Sequence, residues 1–206
     1  MTASETMSGT LLLVRHPPVA DEFRSRCYGQ LDVPLSPEGE AMIPQLVEQL
    51  AAYPVAHVLH SGLQRATAVA VALADRLRLT PVLEPRLKER HFGAWEGVPW
   101  SEIFQTSGDA MLKMISEPDT WTPAGGETTY AVRDRVLEWY AGLPAGECLV
   151  AVAHGGVICS LRGALAGLPV ADWIPLIPPC GEVIELPLGL PCPVRGNGEA
   201  DRRIGG

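Results

Sequence analysis

The chain has 206 residues, 47% hydrophobic and 19% charged, which suits one globular domain with a sizeable core and makes two full domains unexpected. Lys and Arg number 16 against 24 Asp and Glu, a net charge of -8 that argues against a generally basic surface for nucleic acid or anionic membrane. An anion bound by such a chain is held by a few focused cations.

Residues 1–10 are polar with no basic region, so they read as a loosely ordered start and not a signal peptide, and no apolar run reaches membrane-spanning length. A cytoplasmic location with no membrane partner is the expectation. Leu11-Leu12-Leu13-Val14 then reads as a strand buried on both faces, as at the centre of a parallel sheet. Arg15 and His16 stand where it must stop, because Pro17 and Pro18 follow. In open α/β sheets ligands bind at the carboxyl ends of strands.

Residues 17–35 have no helical period and carry Pro, Gly and Asp, so they are expected to form a loop over the sheet end. Ser36-Pro37-Glu38 is a helix start with a capping hydroxyl, a first-turn proline and an acid at the positive end of the dipole. Pro44 inside that helix predicts a kink. A second strand is expected over Val55–Ser61, and a helix over Leu63–Leu79 with Ala66, Val69, Ala70, Leu73 and Leu77 on one face. Pro81-Val82-Leu83 is a short strand. The segment from Leu87 to about Gly126 is less periodic and holds Trp95, Trp100 and Trp121, so a partly helical lid over about 90–126 is predicted, with the tryptophans as lid packing. A helix over Thr128–Leu143, a fully buried strand Cys148–Ala153 ending at His154-Gly155-Gly156, a helix over about Val157–Ala166 and a strand near Glu182–Leu186 complete the pattern. The tail from Pro187, and above all about 190–206 with Arg202 and Arg203, is expected to be loosely ordered. No internal repeat is present. This alternation describes a single α/β domain, a three-layer sandwich with a mostly parallel central sheet.

Arg15, His16 and His154 sit at strand ends, and Arg65 opens a helix just after the second strand. Two guanidiniums and a helix N-terminus make a phosphate site if the sheet gathers them. Two imidazoles there allow one to attack phosphorus while the other donates to a phosphoryl oxygen. The attacking ring must be neutral, whereas a clamp prefers a protonated one. Glycine at Gly155 lets backbone approach the anion, although Gly155-Gly156 also suits a plain tight turn. His57 and His60, three apart on a strand, face opposite ways and cannot share a metal. His57 is expected at the surface, His60 as lining, and His91 either orienting the lid loop or facing water. The cysteines Cys27, Cys148, Cys159, Cys180 and Cys192 are widely spaced without a CxxC pair and read as free thiols.

Six motifs follow one another in a familiar order: Leu13-Val14-Arg15-His16, Gly29 to Gly39, Ser61-Gly62-Leu63-Gln64-Arg65-Ala66, Leu87 to Gly97 around Glu89-Arg90-His91, Gly125-Gly126-Glu127-Thr128, and Val152 to Gly156. Over about residues 11–186 the chain resembles the histidine phosphatase (phosphoglycerate mutase-like) superfamily. The resemblance implies a reaction without metal or cofactor on a small-molecule phosphate ester. His16 forms a phosphohistidine, Arg15, Arg65 and His154 hold the phosphoryl oxygens, and Glu89 protonates the leaving alcohol and then activates water. Such a carboxyl must be raised toward neutrality, which a lid bearing Phe92 and Trp95 could supply by desolvation. Cys27-Tyr28-Gly29-Gln30, Asp32 and Pro34-Leu35 further resemble the α-ribazole-phosphate phosphatases of cobalamin biosynthesis. The lid is short for a phosphoglycerate mutase, which favours hydrolysis.

Two departures stand out. The family usually has glycine at position 17, and an asparagine found a few residues later is absent. Pro17 removes any amide contact to phosphate and excludes a positive φ. A broad-specificity sugar or nucleotide phosphatase, a mutase-type isomerase, and a phosphate-binding protein that has lost turnover through Pro17 therefore remain as alternatives, and the oligomeric state is open.

Overall fold

The structure, a computed structural model, describes residues 9–189. In chain order it comprises β1 (Thr10–Arg15), a one-turn helix α1 (Asp21–Arg24), α2 (Pro37–Ala51), β2 (Val55–His60), α3 (Gln64–Leu77), β3 (Val82–Leu83), α4 (Trp100–Ser107), α5 (Lys113–Ser116), α6 (Thr129–Ala141), β4 (Cys148–Ala153), α7 (Gly155–Leu165) and β5 (Val183–Pro187). The strands form one sheet in the order β3-β2-β4-β1-β5, parallel except for β5, which runs antiparallel at one edge.

Side-chain alternation along β1 builds the three layers. Leu11 and Leu13 join Val136 and Trp139 of α6 and Ile158 and Leu161 of α7 on one face. Leu12 and Val14 join Leu46 and Leu50 of α2 and Val69 and Leu73 of α3 on the other. Each of these β1 side chains is fully removed from water, a gain of roughly 1.5–3 kcal/mol apiece, so the register of this strand is strongly held.

Local chemistry sets the helix ends. Ser36 Oγ accepts from the Gly39 amide at 3.0 Å with Pro37 in the first turn, and Thr128 Oγ1 caps α6 from the Ala131 amide at 3.1 Å. The helix α3 ends before the expected Leu79, because Arg78 turns into the left-handed region at φ 57° and its amide bonds back to Ala74 and Asp75. Pro44 lies within α2, which runs on through it.

Three expectations need correction. The loop over 17–35 contains the helix α1. Order begins before residue 11 and extends past Pro187: Thr10 pairs in β1, Pro187 closes β5, and the amide of buried Leu188 donates to Gly9 O at 2.7 Å. Helix α7 starts at Gly155, two residues earlier than expected, so both glycines belong to its first turn. Residues 1–8 and 190–206, with Cys192, Arg202 and Arg203, lie outside the described residues. The lid is partly helical, as expected: α4 and α5 alternate with 3-10 turns at Gly93–Trp95 and Gly108–Leu112.

Strands β1 and β4 are central neighbours with Arg15 opposite Ala153, while His60 of β2 stands opposite Val152. That register brings the ends of three strands level.

Candidate active site

Because β1 and β4 end level, His16 and His154 emerge side by side. The His16 amide donates to Ala153 O at 3.0 Å, and the two rings lie 5.2 Å apart between centroids. The site is deep: His16 is 1% exposed, and His154 and Arg65 are 0% exposed. Arg65 is thus no solvated helix-start cation. It reaches from the first turn of α3 to donate to Gly29 O at 2.6 Å and Leu31 O at 2.7 Å, and its guanidinium lies 5.0 Å from the centre of the Tyr28 ring. Arg15 donates to Pro178 O at 2.6 Å.

The hydrogen bonds decide the tautomer of each imidazole. His16 Nδ1 lies 2.7 Å from Pro17 O, and a carbonyl can only accept, so Nδ1 carries the proton and Nε2 keeps its lone pair. His16 thereby presents a nucleophilic nitrogen. This contact uses the carbonyl of residue 17, a group that proline retains. Ser61 Oγ accepts from the Leu63 amide at 3.3 Å and lies 2.8 Å from His154 Nε2. Its hydroxyl proton is therefore free to go to Nε2, which leaves Nδ1 as the donor side of His154.

Burial and the neighbouring guanidiniums keep both rings neutral. Desolvation first, then Arg65, lowers His16 to about 3, opposed by the bond to Pro17, with Arg15 adding a smaller push downward. His154 is pushed down by burial, then by His16 and Arg65. His154, the expected protonated clamp, is thus a neutral N–H donor.

Three buried donors at this spot have no hydrogen-bond partner: Arg15 Nε, Arg65 Nε and His154 Nδ1. Buried polar groups are nearly always satisfied, and these belong to residues clustered round one imidazole. Arg65 also lacks a carboxylate within ion-pair distance among the described residues. Such a nest of cationic and N–H donors suits a dianion entering from outside.

Glu89 is aimed at the same place from the lid side. Its Oε2 accepts from the Gly156 amide at 3.1 Å, at the N-terminus of α7, and its Oε1 accepts from the Arg90 amide at 2.8 Å. The backbone behind it is braced: Glu89 O accepts from Gln30 Nε2 at 2.9 Å and from Arg135 at 3.3 Å, and Arg135 is itself paired to Glu127 at 2.9 Å. Gly155 is close-packed, since a Cβ there would stand 3.0 Å from Ile177 and 3.6 Å from the Arg15 guanidinium. Its hydrogen atom lets Arg15 lie against the helix end.

A cavity of about 500 Å³ opens above these residues, with Arg15, Tyr28, Glu89, Gly155 and Gly156 in its wall. Phe92 lines it too, whereas Trp95 packs on Trp121 at 5.5 Å and stays out of it, so the expected desolvation of Glu89 by Trp95 does not arise. His91 Nδ1 bonds Gly125 O at 2.8 Å and so orients the lid loop. His57 is at the surface, paired to Glu147 at 2.8 Å. His60 serves the turn after β2 by bonding Thr67 at 2.9 Å and does not line the cavity. The four described cysteines are free thiols, and Cys27 and Cys159 are held up at about 12, chiefly by burial. Among the described residues no group of three or more His, Cys, Asp or Glu is placed to hold a metal ion, and no helix is long and apolar enough to cross a membrane.

Sequence reasoning missed Ser61, the carbonyls of Pro17, Gly29 and Leu31, and the Arg135 brace. Ser61 and Gly29 lay within recognised motifs, but nothing local shows that a serine 93 residues away sets the tautomer of His154.

The comparisons agree with this geometry. The chain is 35% identical over 174 residues to a glucosyl-3-phosphoglycerate phosphatase of Mycolicibacterium vanbaalenii, covering 79% of this chain and 76% of that protein. It is 34% identical over 155 residues to a metal-independent phosphoserine phosphatase of Arabidopsis thaliana, covering 72% and 65%. A solved mycobacterial glucosyl-3-phosphoglycerate phosphatase in complex with VO3 superposes with a TM-score of 0.74 at 34% identity, covering 86% of this chain and 92% of that one. The resemblance to α-ribazole-phosphate phosphatases, and with it cobalamin biosynthesis, finds no support among these relatives, which are named for other esters. With the profile of the histidine phosphatase superfamily, branch 1, matching residues 11–186, the chain belongs to that superfamily and is a phosphatase, a phosphoric monoester hydrolase.

Proposed function

We propose that the protein hydrolyses a small phosphate monoester without a metal, through a phosphohistidine at His16. The observation that carries the reading is the set of three unpartnered buried donors, Arg15 Nε, Arg65 Nε and His154 Nδ1, beside a ring whose Nε2 is left basic by the Pro17 carbonyl. The His16 Nε2 lone pair attacks phosphorus as the phosphorus–oxygen bond to the alcohol breaks, and Glu89 delivers its proton to the departing oxygen. Arg15, Arg65, His154 and the free amide of Gly155 take the non-bridging oxygens, whose charge they stabilise in a water-poor site. Water then gives a proton to Glu89 and attacks phosphorus, the phosphorus–nitrogen bond breaks, and phosphate leaves.

The reading starts from a neutral imidazole, which His16 already is throughout the physiological range. For the alcohol, the motif around Tyr28 favours α-ribazole 5′-phosphate, whereas the relatives carry the names of phosphoglycerate and phosphoserine esters. Phosphate release from p-nitrophenyl phosphate and α-ribazole 5′-phosphate in EDTA tests both parts, with wild type set against His16→Ala. EDTA-resistant turnover that disappears in the variant is expected, together with acid-labile labelling of His16 by a radioactive phosphoryl group. Vanadate binding with no turnover of any ester, and no labelling, would instead identify a phosphate-binding protein.

A further inference from the structure

We propose that the alcohol half of the substrate is apolar, an alkyl or aryl group and not a polyhydroxylated or carboxylated one, an assignment that sets aside the ribosyl ester α-ribazole 5′-phosphate. This rests on the phosphatase reading above and concerns the part of the cavity away from the phosphate.

The cavity is divided in character. Near α7 its wall carries Arg15, Tyr28 and Glu89. The lid side of the wall carries Trp100, Met111, Met114 and Ile115, and Trp173, packed on α7 against Gly163, adds a further apolar face. At about 500 Å³ it is within the roughly 300–1,000 Å³ that encloses a drug-sized ligand, far more than a phosphate needs.

Arg90 and Thr129, polar groups of this wall, are already engaged with the protein. Arg90 donates from Nε to Glu127 O at 3.1 Å, from one terminal nitrogen to Met114 Sδ at 3.2 Å and from the other to Thr129 Oγ1 at 2.6 Å. Thr129 Oγ1 in turn donates to Met114 O at 2.6 Å. At the mouth, Arg24 pairs with Asp21 and Glu38, and Arg26 donates to the carbonyls of Glu22 and Gly97. Near the cavity, the buried donors without partners among the described residues, Arg15 Nε, Arg65 Nε and His154 Nδ1, belong to the phosphate end. A sugar or glycerate pressed against the distal wall would give up water without replacement, which is unfavourable.

Apolar surface at the mouth points the same way. Leu112 and Ile174 line the cavity, yet are 59% and 60% exposed. They flank the entrance from two separate 3-10 turns, Gly108–Leu112 and Ile174–Leu176. Apolar side chains left open beside a binding cleft are covered when the ligand is apolar. Methionine at two wall positions adapts to varied shapes.

The test compares three alkyl monoesters on the full chain, 2-phenylethyl phosphate, glycerol 1-phosphate and 3-phosphoglycerate, with p-nitrophenyl phosphate as a common reference. All three are esters of primary alcohols, so leaving-group chemistry is closely matched. We expect kcat/KM for the phenylethyl ester to exceed the other two by about tenfold or more, the range a hydrophobic pocket delivers. In Leu112→Asp with Ile174→Asp, both at exposed positions, the ratio of phenylethyl to glycerol ester falls severalfold. Turnover of p-nitrophenyl phosphate with equal or reversed preference overturns the apolar assignment and leaves the phosphatase reading standing, as does a ratio unmoved in the double variant. Absence of turnover on every ester, with no labelled His16, overturns both.

Discussion

The strand-end pocket and the lid are built in opposite ways. The pocket hangs on β1 and β4, whose inner side chains are buried, and its two imidazoles and two guanidiniums are each tied to a backbone carbonyl or a serine. The lid and the 170–176 turns are short helices and 3-10 segments with apolar residues left open to solvent. The difference teaches where precision is needed. Reacting groups held within tenths of an ångström need rigid elements, whereas a wall that only has to fit an alcohol can be assembled from loops.

The comparison predicts that pocket variants lose kcat and lid variants change KM. His16→Ala is expected to have the largest effect, roughly a 10⁴- to 10⁶-fold loss in kcat, measured by single-turnover phosphate release. Retained turnover would remove the ring from the chemistry. Arg65→Met comes next, with kcat/KM down by roughly 10²- to 10³-fold. Its thermal midpoint should change little by comparison, because a desolvated cation is lost along with its two carbonyl contacts. On the lid, Trp100→Leu breaks an edge-to-face contact with Phe92 at 5.6 Å, and a KM increase of about tenfold with kcat nearly kept is the expected split. An equal loss in kcat would erase the division between the regions.

Stability should report the same division through pH. In the unfolded chain His16 and His154 take up protons as pH falls below about 6.5, but in the folded pocket they resist, His16 down to about 3. The unfolded form therefore binds more protons in that window, and stability declines as pH falls from about 6.5 toward 3. Thermal melts between pH 7 and 4 should show a shallower decline in His16→Gln than in wild type. The smallest effect expected is from Pro17→Gly. The carbonyl survives, so kcat stays within a few-fold, while the freer unfolded chain costs roughly 0.4–1 kcal/mol on a denaturant curve. A large gain in rate would mean that an amide at position 17, and not the carbonyl, matters.

Much of this was legible in the residues themselves. Leu11 to Val14 and Cys148 to Ala153 are unbroken apolar runs, a pattern that only a strand covered on both faces tolerates, and each ends at a histidine. The Ser36-Pro37 start and the stripe on α3 are local too, since capping and periodicity depend on neighbours within a turn or two. Ordered motifs identified the superfamily and pointed to His16, Arg65, His154 and Glu89, which the fold places near one another. The concern over Pro17 came from what proline lacks, an amide, and the carbonyl it keeps, bonded to His16, was not foreseen.

What the amino-acid order determined by itself is therefore the set of buried strands, the helix starts and the residue types placed at their ends, because period, capping and proline act over short range. Tertiary structure alone decided how those ends meet. The parallel register of β1 with β4 sets the imidazoles side by side. Ser61, remote in sequence, chooses which nitrogen of His154 donates, and Arg135 and Gln30 hold Glu89 to the helix end. It also decided that Arg15 and Arg65 have no carboxylate partner among the described residues and that the far wall is largely apolar. Both depend on which distant carbonyls, carboxylates and side chains fold into reach, and that is a property of the packed chain and of no segment within it.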